Sequence, residues 1–288
     1  MLAYVISVIA ALLLAFLCGA IPFALIIGKS MRGLDVREHG SGNAGSTNAI
    51  RVLGLGPGLL VFAGDVLKAA LGCVIVILVV EVAVPLSYAW ASQEAVYALL
   101  SGAETIDPLV DIWSNHKEYL YDIPKALAIL ATVLGHMFSP FMRFKGGKGV
   151  AAALGAIGVV LPLVALCSLT VFALITLVTR YVSLGSVIAV VTVPIFTCVF
   201  YPSPTYIVFT ALLAVAVVLA HHKNIKRLIK REESKFSLSK KEKDSKADVS
   251  ADNKKDAKKG ASAKEEMAEI DAAFADDNNA DNAKGGKK

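Results

Sequence analysis

Apolar runs of membrane length alternate with short polar clusters along the first 220 residues. A bilayer core about 30 Å thick takes about 20 apolar residues per helix, and that length recurs along the chain. Residues 2–27, 59–80 and 126–142 each predict one span. Residues 149–179 carry no charge and are too long for one upright span, so they predict two short helices bending near Pro162. Residues 181–220 are also uncharged, and Tyr201-Pro-Ser-Pro204 divides them into two. The expectation is an all-α, polytopic membrane protein of about seven transmembrane helices, or five if the short segments only re-enter. The 2–27 run lacks the basic start of a cleaved leader and exceeds the usual apolar core of one, so it predicts an uncleaved first span.

Charge then sets orientation. Lys29, Arg32, Arg37 and Arg51 follow the first span, and Arg143, Lys145 and Lys148 follow the third. Between spans two and three the balance reverses, with Glu94, Glu104, Asp107, Asp111, Glu118 and Asp122 against Lys117. By the positive-inside rule the loop over 85–124 lies outside and the basic clusters lie in the cytoplasm. Seven spans then put the N-terminus outside and the C-terminus inside.

Composition adds a boundary near residue 235. The chain is 56% hydrophobic, above the roughly 45–50% of soluble domains. Yet 18 of its 29 Lys and Arg and 14 of its 24 Asp and Glu lie from Lys223 onward. Residues 1–235 therefore read as the integral membrane domain. Residues 236–288 read as a charged cytoplasmic tail with too few large apolar residues to fold. Cys18, Cys73, Cys167 and Cys198 sit in apolar runs without metal-ligand spacing, so no metal or organic cofactor is implied, nor a nucleic acid.

Three polar clusters carry the chemistry. The first, Gly40-Ser-Gly-Asn-Ala-Gly-Ser-Thr-Asn-Ala-Ile-Arg51, offers Ser41, Asn43, Ser46, Thr47 and Asn48 as hydrogen-bonding side chains. Its glycines, Gly45 among them, expose amides to an anion, and Arg51 adds a bidentate donor. A simple turn needs one glycine and one cap, not this density. The second, Lys145-Gly-Gly-Lys-Gly-Val-Ala151, opens a helix whose N-terminus favours phosphate. Lys145 and Lys148 add charge, and Gly146, Gly147 and Gly149 free the backbone. It lacks the spacing of a P-loop. In the third, His221-His-Lys-Asn-Ile-Lys-Arg-Leu228, the side chains of His221, Asn224 and Arg227 fall on one helical face. Within the spans, Asp65 and Lys68 lie three apart and predict an ion pair, and His136 predicts a packing role. There is no internal repeat and no polar path to the outside, which argues against a transporter.

Read together, the three clusters resemble the signature motifs of the bacterial acyl-phosphate:glycerol-3-phosphate acyltransferase family, PlsY, in the family's order. Gly64-Asp-Val-Leu-Lys68, Leu134-Gly-His136 and Arg180-Tyr-Val-Ser183 are smaller matches. The resemblance covers roughly residues 1–235. It implies a seven-helix enzyme in the bacterial plasma (inner) membrane with its active site facing the cytoplasm. That enzyme would move a fatty acyl group from acyl phosphate to glycerol 3-phosphate, with membrane lipids around it. It implies Ser41, His221 and Asn224 as catalytic residues. Asn43, Gly45, Thr47, Asn48, Arg51, Lys145, Gly146, Gly147, Lys148 and Gly149 would bind substrate and phosphate. One departure stands out: the family's third motif continues to a glycine two residues before a glutamate, and here Arg231 occupies that place ahead of Glu233.

Overall fold

The computed structural model describes residues 2–83 and 118–235, and among these the regular structure is entirely helical. Ten α-helices follow one another: α1 (Leu2–Ala20), α2 (Phe23–Arg32), α3 (Ser46–Leu53), α4 (Leu55–Leu78), α5 (Ile123–Met137), α6 (Val150–Val160), α7 (Pro162–Thr179), α8 (Val182–Phe200), α9 (Pro204–Ala220) and α10 (His222–Ile229). A π turn, Val79–Ala83, prolongs α4, and another, Glu118–Asp122, leads into α5. Residues 85–117 of the expected outside loop and the tail over 236–288 lie outside the described residues. Residues 118–124 of that loop are helical instead.

Proline places most boundaries. Pro162 and Pro204 open α7 and α9 where no N–H is needed. Pro22 splits the expected first span, because proline cannot donate into a continuing helix. Residues 2–27 are therefore two helices meeting at Ile21–Pro22.

All seven expected apolar segments are helical. Among the described residues five are long and apolar enough to cross a membrane, and α9 makes a sixth candidate if it and α10, bent by 61° from it, count as one span. The remaining segment, α6, has only 11 residues. At 1.5 Å per residue it is about 16 Å long, roughly half the thickness of a bilayer core.

At the centre α1, α4 and α5 pack closely through glycine. A Cβ on Gly19 would overlap the Thr132 carbonyl, and one on Gly135 would overlap the Phe16 carbonyl. Such small-residue contacts are how helices associate in lipid, where no water drives them together. The outward faces of the helices carry Leu13, Leu67, Leu166, Leu177 and Val178, all exposed, as a lipid-facing surface does. The expected ion pair forms inside this bundle: Lys68 Nζ lies 2.7 Å from Asp65 Oδ1. Lys68 also donates to the Ile21 carbonyl at 2.6 Å, and Ser139 Oγ donates to the Ala20 carbonyl at 2.6 Å. The Ala20 carbonyl at the α1–α2 break thereby gains a partner, and the Ile21 carbonyl, which also accepts from the Phe23 N–H at 3.1 Å, gains a second.

Candidate functional site

The three polar clusters meet in one cavity of about 590 Å³. The first cluster folds as a loop running into α3. Gly40 and Gly42 hold φ of 63° and 72°, which bends the loop back over α3. Asn48 clamps it: its Oδ1 accepts from the Ser41 amide (2.8 Å) and the Ser41 hydroxyl (3.1 Å), and its Nδ2 donates to the carbonyls of Val36 (2.7 Å) and His39 (3.1 Å). With two bonds accepted and two donated, the amide is fully used. Asn48 thus holds Ser41 in place, and its side-chain bonds are all made within the loop. Ser41, Asn43, Gly45, Ser46, Thr47, Asn48 and Arg51 all line the cavity.

The second cluster divides. Lys148 and Gly149 line the cavity, together with Val150 and Ala151 at the start of α6. Gly149, at φ 86°, supplies the turn into the helix. Lys145 is exposed and does not line the cavity, and neither do Gly146 and Gly147. Their amides are already spent: Gly146 N–H donates to the Met137 carbonyl (3.0 Å) and Gly147 N–H to the His136 carbonyl (3.2 Å). These glycines serve close approach, since a Cβ on Gly146 would overlap the His136 carbonyl and one on Gly147 the His136 ring. What this cluster presents to the cavity is Lys148, Gly149 and the first residues of α6.

The third cluster spans the break between α9 and α10. His221, Asn224 and Arg227 all line the cavity. His221 Nδ1 lies 2.8 Å from the Val217 carbonyl. A carbonyl only accepts, so Nδ1 carries the hydrogen and Nε2 is left as an acceptor. Burial pushes this imidazole down to about 4, with Lys148 adding to the effect and the Val217 bond opposing it. His221 is neutral at ordinary pH.

Two residues that sequence reasoning did not assign complete the site. Asn224 Nδ2 donates to Ser183 Oγ (2.9 Å) and to Glu233 Oε1 (2.7 Å). Ser183 Oγ also donates to Glu233, and Arg227 Nε donates to its other oxygen at 2.7 Å. Lys148 Nζ donates to Asn224 Oδ1, which ties the second cluster to the third. Burial works against the charged Glu233, but the bonds from Ser183, Arg227 and Asn224 outweigh it and hold its carboxyl below the usual range. Burial lowers Lys148 to about 8, with Arg227 and Arg51 adding to that effect and Glu233 opposing it. Arg231 takes the left-handed conformation, φ 59°, so the turn that brings Glu233 round is made without glycine. The match at Arg180–Ser183 was the available signal for Ser183.

Beside the polar cavity lies an apolar groove lined by α4, α6, α7 and α8, and Phe62, Val150, Phe172 and Ser186 line both. Fixed cations and two helix N-termini thus sit at one end of an apolar channel. That defines a multi-pass helical membrane protein whose cationic polar cavity opens onto an apolar groove.

The comparisons give this class a family. The glycerol-3-phosphate acyltransferase family profile matches residues 9–231. A glycerol-3-phosphate acyltransferase of Trichlorobacter lovleyi is 39% identical over 222 residues, covering 77% of this chain and 94% of that protein. One of Bacillus subtilis is 35% identical over 225 residues, covering 78% and 95%. Among solved structures, the crystal structure of PlsY (YgiH), an integral membrane glycerol 3-phosphate acyltransferase in its glycerol 3-phosphate form, superposes with a TM-score of 0.63. It is 32% identical, with 80% of this chain and 96% of that one covered. Its lysophosphatidic acid form gives a TM-score of 0.60 at 31% identity, with 81% and 96% covered. The chain belongs to the glycerol-3-phosphate acyltransferase family.

Proposed function

We propose that this member of the family takes its acyl group from a fatty acyl phosphate and transfers it to the 1-hydroxyl of glycerol 3-phosphate. The products are lysophosphatidate and inorganic phosphate, in the first step of phospholipid synthesis. The observation that carries the reading is the junction of the polar cavity with the apolar groove at Phe62, Val150, Phe172 and Ser186. An acyl phosphate needs both environments at adjacent atoms: charge compensation for the phosphate and an apolar bed for the start of the chain.

Both substrates carry phosphate, so two anions must be held close together. Arg51 and Lys148 supply full charges, and the N-terminal amides of α3 and α6 supply partial ones. The leaving group of a mixed anhydride is already good, so positioning and exclusion of water are the main tasks. The hydroxyl oxygen attacks the acyl carbon, the bond from that carbon to the phosphate oxygen breaks, and the hydroxyl proton must leave. His221 near 4 is a weak base, whereas a phosphate monoester has its second pKa near 6. The proton therefore goes to the departing phosphate, while His221 Nε2 is placed to accept from the glycerol's other hydroxyl and so orient the acceptor. Ser41 or the loop amides stabilise the developing oxyanion, and no acyl-enzyme forms.

The convergence of three basic clusters on one cavity supports a single membrane side for all of them. With the positive-inside rule that side is the cytoplasm, at the plasma (inner) membrane, with the N-terminus outside. The integral domain then ends near residue 235, and 236–288 is a cytoplasmic extension. The alternative donor, acyl-CoA, is used by acyltransferases with a His-x4-Asp motif, and no histidine here has an aspartate five positions later.

The test is turnover of labelled glycerol 3-phosphate by purified, lipid-reconstituted protein with acyl phosphate and acyl-CoA in parallel. Lysophosphatidate from acyl phosphate alone is expected. Product from acyl-CoA alone, or from neither donor in folded protein, overturns the reading.

A further inference from the structure

His136 lines the cavity, yet the chemistry above gives it no task. It is 3% exposed. It stands near the end of α5, where Gly135 lies against the backbone of α1, so its base is rigid. On one side its Nδ1 lies 3.4 Å from Asp65 Oδ1 and makes no hydrogen bond. On the other side the imidazole is the wall on which Gly147 rests, with no room for a Cβ between them. The His136 carbonyl accepts the Gly147 N–H, and Lys148 is the next residue.

The loop carrying Lys148 has glycine at 146, 147 and 149. Glycine leaves the backbone free, and a lysine ammonium on a flexible stem is a point charge without preferred direction. Nothing within this segment keeps that charge in the cavity; the restraint comes from outside, at the ammonium from Asn224 and at the backbone from His136. Asp65 provides the far side of the brace. It is locked by Lys68, which also reaches the Ile21 carbonyl and lies 5.9 Å from the Phe23 ring centroid. Because Lys68 already neutralises Asp65, that carboxylate does not draw Lys148 away from substrate.

We propose that His136, braced by Asp65, is a positioning residue for Lys148: its ring and carbonyl fix Gly147, and Gly147 fixes where the Lys148 charge enters the cavity. The inference rests on reading Lys148 as a phosphate contact. It assigns the pair on α4 and α5 to the reaction as well as to the fold.

The experiment is a double-mutant cycle on the full-length, reconstituted protein. His136→Ala and His136→Gln are each combined with Lys148→Ala and, separately, with Arg51→Ala. kcat, KM for each substrate and thermal unfolding are measured throughout. A small displacement of a contact can cost up to about a hundredfold in rate. The expected result is a loss of ten- to a hundredfold in kcat/KM for His136→Ala, with part recovered in His136→Gln. That loss disappears in the Lys148→Ala background and persists in the Arg51→Ala background. If His136→Ala does not fold, the His136→Gln cycle gives the same reading. A loss that stays multiplicative with Lys148→Ala, or His136 variants of full activity, overturns the inference. Full activity of Lys148→Ala instead overturns the phosphate reading beneath it.

Discussion

Glu233 Oε1 accepts a 2.7 Å hydrogen bond from the Asn224 amide, nine residues back along the chain. The same carboxylate takes Ser183 and Arg227, so one side chain beyond α10 gathers groups from α8 and α10. Glu233→Gln keeps the shape but removes the charge and turns one donor towards existing donors. The expected outcome is a fall in kcat/KM of about tenfold or more, roughly 1.4 kcal/mol, and a lower unfolding temperature. An unchanged kcat/KM in the Gln variant contradicts this role.

Lys148, near 8, predicts an alkaline limit. In the proposed phosphate contact the charged amine is the binding form, and it is lost as pH rises through that value. kcat/KM of the wild type should fall above about pH 8, reporting the free enzyme. Glu233 raises the Lys148 pKa, so Glu233→Gln should move the limb to lower pH. Lys148→Arg, which stays charged, should remove the limb even if its activity is lower. A limb at the same pH in the Arg variant would assign it to another group.

Asn48 offers a test of positioning within the first loop. Asn48→Asp replaces two donors by acceptors facing the Val36 and His39 carbonyls. Unpaired buried groups cost about 1–3 kcal/mol, more when charged. The variant should unfold at lower temperature and lose most activity, although the side chain has no free group for substrate. Normal stability with lost activity would instead mark Asn48 as a direct contact.

Arg231 sits at φ 59°, a conformation that costs a non-glycine residue about 1–2 kcal/mol. Arg231→Gly removes that strain while adding freedom to the unfolded chain, so stability should hold or rise slightly and activity should be kept. Arg231→Val, β-branched and hostile to this region, should lower both. A loss of activity in Arg231→Gly would show that the guanidinium itself acts.

Much of this site is legible along the chain because its density of glycine, hydroxyl and cation has no use inside lipid. That is why Ser41, Arg51, Lys148, His221 and Asn224 can be picked out before any coordinates. What escapes is the destination of each hydrogen bond. Gly146 and Gly147 carry amides that an anion would accept, and only the fold reveals that α5 takes them first. Glu233 lies 50 residues from Ser183, and no local pattern announces their meeting. The break near Pro162 is legible as well, because proline marks it, but hydropathy does not reveal how unequally it divides the 149–179 run, into an 11-residue helix and an 18-residue one.

The paired carbonyls at the α1–α2 break also bear on how the protein is made. In hydrocarbon an unpaired carbonyl costs several kcal/mol. Ile21 accepts from the nearby Phe23 N–H (3.1 Å) as well as from Lys68, whereas the donor to Ala20 is Ser139, which leaves the ribosome much later. The first segment is therefore completed only by the turn after α5: a chain stopped before residue 139 leaves the Ala20 carbonyl without its Ser139 donor.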